Sequence, residues 1–105
     1  MKSKKTLVLG ASTKSQRYSY MAIKSLVEKG HSVIAIGHEV GELAGVKIHN
    51  KAIPLKNIDT VSLYLNPRNQ RDYYNYIIKA QPKRVIFNPG TENPEFYQLL
   101  KLNNI

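Results

Sequence analysis

The chain has 105 residues, 42% hydrophobic and 22% charged, with no cysteine. That size suits one domain with one core, and disulfides, thiolate metal sites and a cysteine nucleophile are excluded. Sixteen Lys and Arg against seven Asp and Glu give a formal net charge of +9, which invites anionic, phosphate-bearing partners. No apolar run approaches the roughly 20 residues of a membrane span, and the basic start at Met1 to Lys5 has no signal-peptide core behind it, so a cytoplasmic protein away from membranes is expected.

Lys5 to Gly10 is a short apolar run ending in glycine, the pattern of a strand buried on both faces of a parallel sheet. Ser19 to Lys29 carries an apolar stripe at Tyr20, Ile23, Leu26 and Val27 and stops at Gly30, which predicts a helix with a left-handed terminator. Ser32 to Gly37 is a second β-branched strand. Residues 38–58 hold a weak strand at Val46 to His49 and a loop through Pro54. Asp59 to Leu65 predicts the next strand, followed by Asn66 and Pro67 as N-cap and first residue of a helix that runs to about Ala80 and stops before Pro82. Arg84 to Phe87 is a further strand. Asn88-Pro89-Gly90 turns the chain, and Asn93-Pro94-Glu95 repeats the cap before a last helix holding Phe96, Leu99, Leu100 and Leu102. This alternation predicts a Rossmann-like, doubly wound α/β/α domain over residues 1–105. Its sheet is expected to have five mostly parallel strands in the order 3-2-1-4-5. The rhythm calls for one more strand after Leu102.

Open parallel sheets bind ligands beyond the carboxyl ends of their strands, where the strand order reverses. Four turns should therefore converge: Gly10 to Ser19, Gly37-His38, Asn66-Pro67, and Asn88-Pro89-Gly90-Thr91. In the first, Gly10 permits a tight turn and close approach, Ser12, Thr13 and Ser15 offer hydroxyls, and Arg17 offers a bidentate grip on phosphate beside a helix start. The same residues also fit a plain polar turn capped by Ser19. The second strand ends at Gly37-His38 with Glu39 one step later, and only one glycine of the dinucleotide fingerprint is present, which counts against a conventional NAD site.

No catalyst is visible. The histidines, His31, His38 and His49, form no helical pair suited to zinc, no carboxylate pair falls at the strand ends, and the Gly10-Ala11-Ser12 turn lacks a nucleophile elbow. Tyr73, Tyr74 and Tyr76 cover most of one helix's circumference, which suits core packing or a dimer contact better than base stacking. Basic residues spread along the chain, without a gathered face, argue against nucleic acid.

The pattern L-V-L-G-A-S-x-x-x-x-R-Y-S at Leu7 to Ser19, V-I-A-I-G at 33–37, L-Y-L-N-P at 63–67 and F-N-P-G-T-E-N-P-E at 87–95 resembles the small stand-alone bacterial CoA-binding domain proteins. These are similar to the nucleotide-binding domain that begins the succinyl-CoA synthetase alpha subunit. The resemblance implies a Rossmann-like, non-catalytic module that binds coenzyme A or an acyl-CoA. It carries Gly10, Ala11, Ser12, Arg17 and Ser19 over as the pyrophosphate turn, Gly37 and His38 as the adenosine side, and Asn66, Pro67, Asn88, Pro89, Gly90 and Thr91 as the rim. The synthetase's phosphorylated histidine belongs to a domain with no counterpart here, so its activity does not carry over. The alternative is a small enzyme or enzyme subunit acting on a nucleotide or acyl-CoA, with catalytic groups supplied by a partner chain.

Overall fold

A computed structural model describes residues 4–105; the first part of the basic start, Met1 to Ser3, lies outside the described residues. Strand β1 (Thr6–Ala11) sits between β2 (Val33–Gly37) and β5 (Thr60–Leu63), parallel to both. Beyond β2 comes β4 (Val46–His49), also parallel, and beyond β5 comes β6 (Arg84–Phe87). Alternation along β1 explains the layering. Leu7 and Leu9 bury into one cluster with Ile77, Phe96 and Leu100, and Val8 and Ala11 into another with Ile23. Helix α1 (Tyr18–Glu28) thus covers one face of the sheet, while α3 (Tyr74–Ala80) and α4 (Pro94–Leu102) cover the other. This is the arrangement a doubly wound chain needs.

The expected five strands in the order 3-2-1-4-5 are corrected to six, with β3 (Gly41–Leu43) added at one edge to give the order β3-β4-β2-β1-β5-β6. The added strand is three residues long and antiparallel to β4, making the sheet mixed. It arises from a two-residue turn at Ala44 and Gly45, whose φ values of 52° and 81° are both positive. That is the handedness that lets a hairpin follow the sheet twist. The helix expected over 67–80 is also interrupted. It is built as α2 (Pro67–Gln70), a 3-10 turn at Arg71–Tyr73, and α3.

Both Asn-Pro starts form as the sequence predicts: Asn66 Oδ1 accepts from the amide of Asn69 at 2.9 Å and Asn93 Oδ1 from that of Phe96 at 3.3 Å. Helix α1 ends with Gly30 at φ +81°, and the amides of Gly30 and His31 close back on Val27 and Leu26. The glycine satisfies the last carbonyls of the helix in a conformation that costs other residues more.

Candidate functional site

The carboxyl ends of β1, β2 and β5 open into a cleft of about 510 Å³. Its floor is set by glycine. At Gly10 φ is +92°, and the pairing of β1 with β2 shifts between Leu9 and Ala11, so a bulge turns the chain up into the cleft. Gly37 lies opposite Ala11, where a Cβ would sit 2.1 Å from the Ala11 carbonyl oxygen. Only a residue without a side chain fits there, and its absence leaves the strand ends open.

The β1–α1 turn forms one wall. Ser12 Oγ accepts from the amide of Lys14 at 3.1 Å, and the amide of Arg17 donates to the Lys14 carbonyl at 3.0 Å, folding residues 12–17 compactly. Arg17 is the N-cap of α1 and its side chain makes no capping bond. The first-turn amides therefore have no side-chain acceptor from the cap, and both Lys14 and Arg17 border the same space as Ser12 and the buried Ser19. A helix N-terminus without a side-chain cap and two basic residues border one volume, an arrangement that stabilises an anion. His38 and Glu39 close the β2 side, and Tyr64, Leu65, Asn66, Asn69 and Pro89 the far side.

A second cleft of about 370 Å³ shares Gly10, His38, Leu65 and Asn69 with the first and adds Gly37, Asn50, Asp72 and Tyr73. The two together form a trough across the strand ends, lined by Lys14 and Arg17 on the α1 side and by Asp72 on the side of the 3-10 turn.

Of the residues singled out in the sequence, Gly10, Ala11, Ser12, Arg17, Ser19, His38, Asn66 and Pro89 border the first cleft and Gly37 the second. Pro67, Asn88, Gly90 and Thr91 border neither, and their chemistry is used elsewhere. Pro67 starts α2, and Gly90 turns the chain at φ +91° with its amide on Glu92 Oε1. Asn88 Nδ2 donates to Ser62 Oγ and the Leu63 carbonyl, while Thr91 Oγ1 donates to the Asn88 carbonyl at 2.7 Å. Tyr64 and Asn69 were not singled out. Tyr64 directly follows β5 opposite Gly10, and Asn69 lies one turn beyond the Asn66 cap, so topology alone could have found both. Nothing in the sequence brings Asn50, Asp72 or Tyr73 to the second cleft.

The other histidines are elsewhere: His31 Nδ1 accepts from the amide of Lys4 at 3.0 Å, and His49 pairs with Ile36 in the sheet. Among the described residues no group of three or more His, Cys, Asp or Glu is placed to hold a metal ion. Among the same residues no helix is long and apolar enough to cross a membrane.

Comparison with known proteins gives these results. The family model described as a CoA binding domain matches residues 4–105. A crystal structure described as that of an uncharacterized protein is 48% identical over the whole of this chain and 87% of its own, with a TM-score of 0.95. A hypothetical protein from Pyrococcus horikoshii OT3 is 30% identical over 98% of this chain and 73% of its own, with a TM-score of 0.86. A protein from Thermus thermophilus, 24% identical over 98% of this chain and 79% of its own, shares the fold at a TM-score of 0.86. No curated protein matches.

Proposed function

Since the chain belongs to the CoA binding domain family, we propose that it binds coenzyme A or an acyl-CoA as a non-catalytic module, the diphosphate resting on the β1–α1 turn. The observation that carries this reading is the start of α1, where Arg17 stands at the N-cap without a side-chain bond and borders the cleft together with Lys14. A side chain that satisfied the helix amides would compete with an anion, whereas a guanidinium adds to their pull on it. The volume of about 510 Å³ lies within the range of roughly 300–1,000 Å³ usual for small-molecule sites. The adenosine side then falls to Gly37 and His38 at the end of β2, where a ribose and its substituents follow the diphosphate, a reading supported by the place of both residues on the trough.

Thermal melting with coenzyme A, acetyl-CoA, NAD, NADP, FAD and ADP side by side tests the reading. A ligand that binds only the folded chain stabilises it by about 2.7 kcal/mol at a hundred times its dissociation constant. Coenzyme A or an acyl-CoA is expected to give the largest rise in Tm. No shift at millimolar coenzyme A, or a larger one with NAD, contradicts the proposal, and steady hydrolysis of an acyl-CoA by the pure protein contradicts its non-catalytic part.

A further inference from the structure

We propose that Gln70 is a positioning residue for the cleft, holding its far wall in one place through a buried clamp; this rests on the reading that the cleft binds coenzyme A. Gln70 ends α2 and is fully buried, an uncommon place for a glutamine, and every polar group of its side chain is used. Its Nε2 donates to the carbonyl of Leu65 at 2.8 Å and to the carbonyl of Thr91 at 2.8 Å, and its Oε1 accepts from Asn93 Nδ2 at 2.9 Å. The two carbonyls belong to different loops. Leu65 lies in the loop after β5 and borders both halves of the trough, and Thr91 lies in the turn after β6 that begins with Asn88 and includes Pro89.

The clamp is anchored behind. Asn93 caps α4 with Oδ1 on the Phe96 amide, and its Nδ2 also donates to the Tyr74 hydroxyl at 2.8 Å. The Tyr74 hydroxyl donates to Glu95 Oε1 at 3.0 Å, and the Tyr74 ring stacks on Phe96 at 4.3 Å. The position of Leu65, and of the turn that carries Pro89 and Thr91, is thereby tied to the N-terminus of α4. A core filled for stability alone would place an apolar side chain at residue 70. The amide joins the loop after β5 to the turn after β6, while the Asn88 side chain ties that same turn to Ser62 and Leu63 of β5. A buried network satisfied at every atom fixes geometry, and removing one member leaves carbonyls unpaired away from water.

Two variants separate the clamp from the fold. Gln70→Met keeps the volume and removes all three bonds; Asn93→Asp keeps the acceptor that caps α4 but replaces the donor to Gln70 with a carboxylate. Ile77→Val and Ile77→Ala, at a fully buried core site on α3 outside the trough, supply controls that bracket the same loss of Tm. Coenzyme A affinity is measured by calorimetry, with amide hydrogen exchange at Tyr64, Asn69 and Thr91 followed in the ligand-free proteins. The expected result is that both clamp variants bind coenzyme A about tenfold more weakly, the scale of one lost hydrogen bond, and exchange faster at those amides than the Ile77 controls of equal Tm. Unchanged affinity in the clamp variants, or an equal loss in the controls, overturns the proposal. If the unmutated protein fails to bind coenzyme A, the reading of the cleft is what fails. The exchange measurement still decides the clamp, and equal exchange in variants and controls rejects it.

Discussion

A methyl group at residue 10 would land 2.9 Å from the carbonyl carbon of Tyr64, on backbone that already has φ +92°. The neighbour is main chain, so it cannot swing aside, and the positive φ adds strain for any L residue with a side chain. Gly10→Ala is expected to lower stability by about 1–3 kcal/mol, read from denaturant unfolding, because strain of that kind costs this much per residue. A second residue-scale prediction concerns Tyr76, whose hydroxyl donates to the Ile53 carbonyl. Burial, with a smaller contribution from the neighbouring Tyr73, pushes its phenol up to about 12 from an ordinary 10.0. The folded value is the higher one, so the stability Tyr76 contributes is present below pH 10 and is lost as pH rises through about 12. Ultraviolet titration of the folded chain should show a late phenol near pH 12 that disappears in Tyr76→Phe, while a folded chain with no such late phenol would contradict the assignment.

At the scale of elements, α1 is the one where stability and the proposed ligand compete for the same amides. Arg17 leaves its N-terminus without a side-chain cap. Arg17→Ser supplies one and should raise stability by roughly 0.5–1 kcal/mol while weakening coenzyme A binding, which opposes the usual coupling of the two. A variant that is neither stabilised nor weakened would mean that the helix start is already satisfied and holds no phosphate. The elements also show what was legible in the sequence. Alternating apolar and helical periods placed β1, α1, β2, β5, β6 and α4, because burial on two faces writes continuous apolar runs such as Leu7 to Leu9. Strand β3 was hidden. Gly41-Glu42-Leu43 is an edge with little buried surface, and its turn uses Ala44 at φ 52° in place of the Asn or Asp that would signal a hairpin. The break at Arg71–Tyr73 left no glycine or proline to mark it. Topology brought Gly10, Arg17, His38 and Asn66 to one cleft. Asn88 and Thr91 looked like rim residues because they follow β6, yet their polar groups hold the turn itself, a distinction that only side-chain partners reveal.

Over the whole molecule, a charged cluster and the proposed binding cleft sit at opposite ends of the sheet. At the amino ends of the strands, Asp59 Oδ1 accepts from Thr60 Oγ1 at 2.7 Å, and Lys83 Nζ lies 3.8 Å from Oδ2. The Thr60 hydrogen bond first, then the charges of Lys83, Lys4 and Arg84, hold this carboxyl below the usual 3.8 against an opposing desolvation. A lowered folded value means the contribution is present above the unfolded value and fades as pH falls through the folded one. Asp59→Asn should therefore melt earlier than the unmutated chain at neutral pH. That gap should close as pH is taken well below 3.8, with coenzyme A binding at neutral pH unaffected. A gap that persists in acid, or lost binding, would contradict this division of the molecule. At the other end, a chain with formal charge +9 should attract a polyanionic ligand more weakly as salt screens the field. The most direct test of the central claim is a titration of isotope-labelled protein with coenzyme A, followed through its amide resonances. Saturable shifts are expected at Gly10 to Ser19 and at His38, with the amino ends of the strands unmoved. Shifts confined to other surfaces, or none at millimolar ligand, would contradict it.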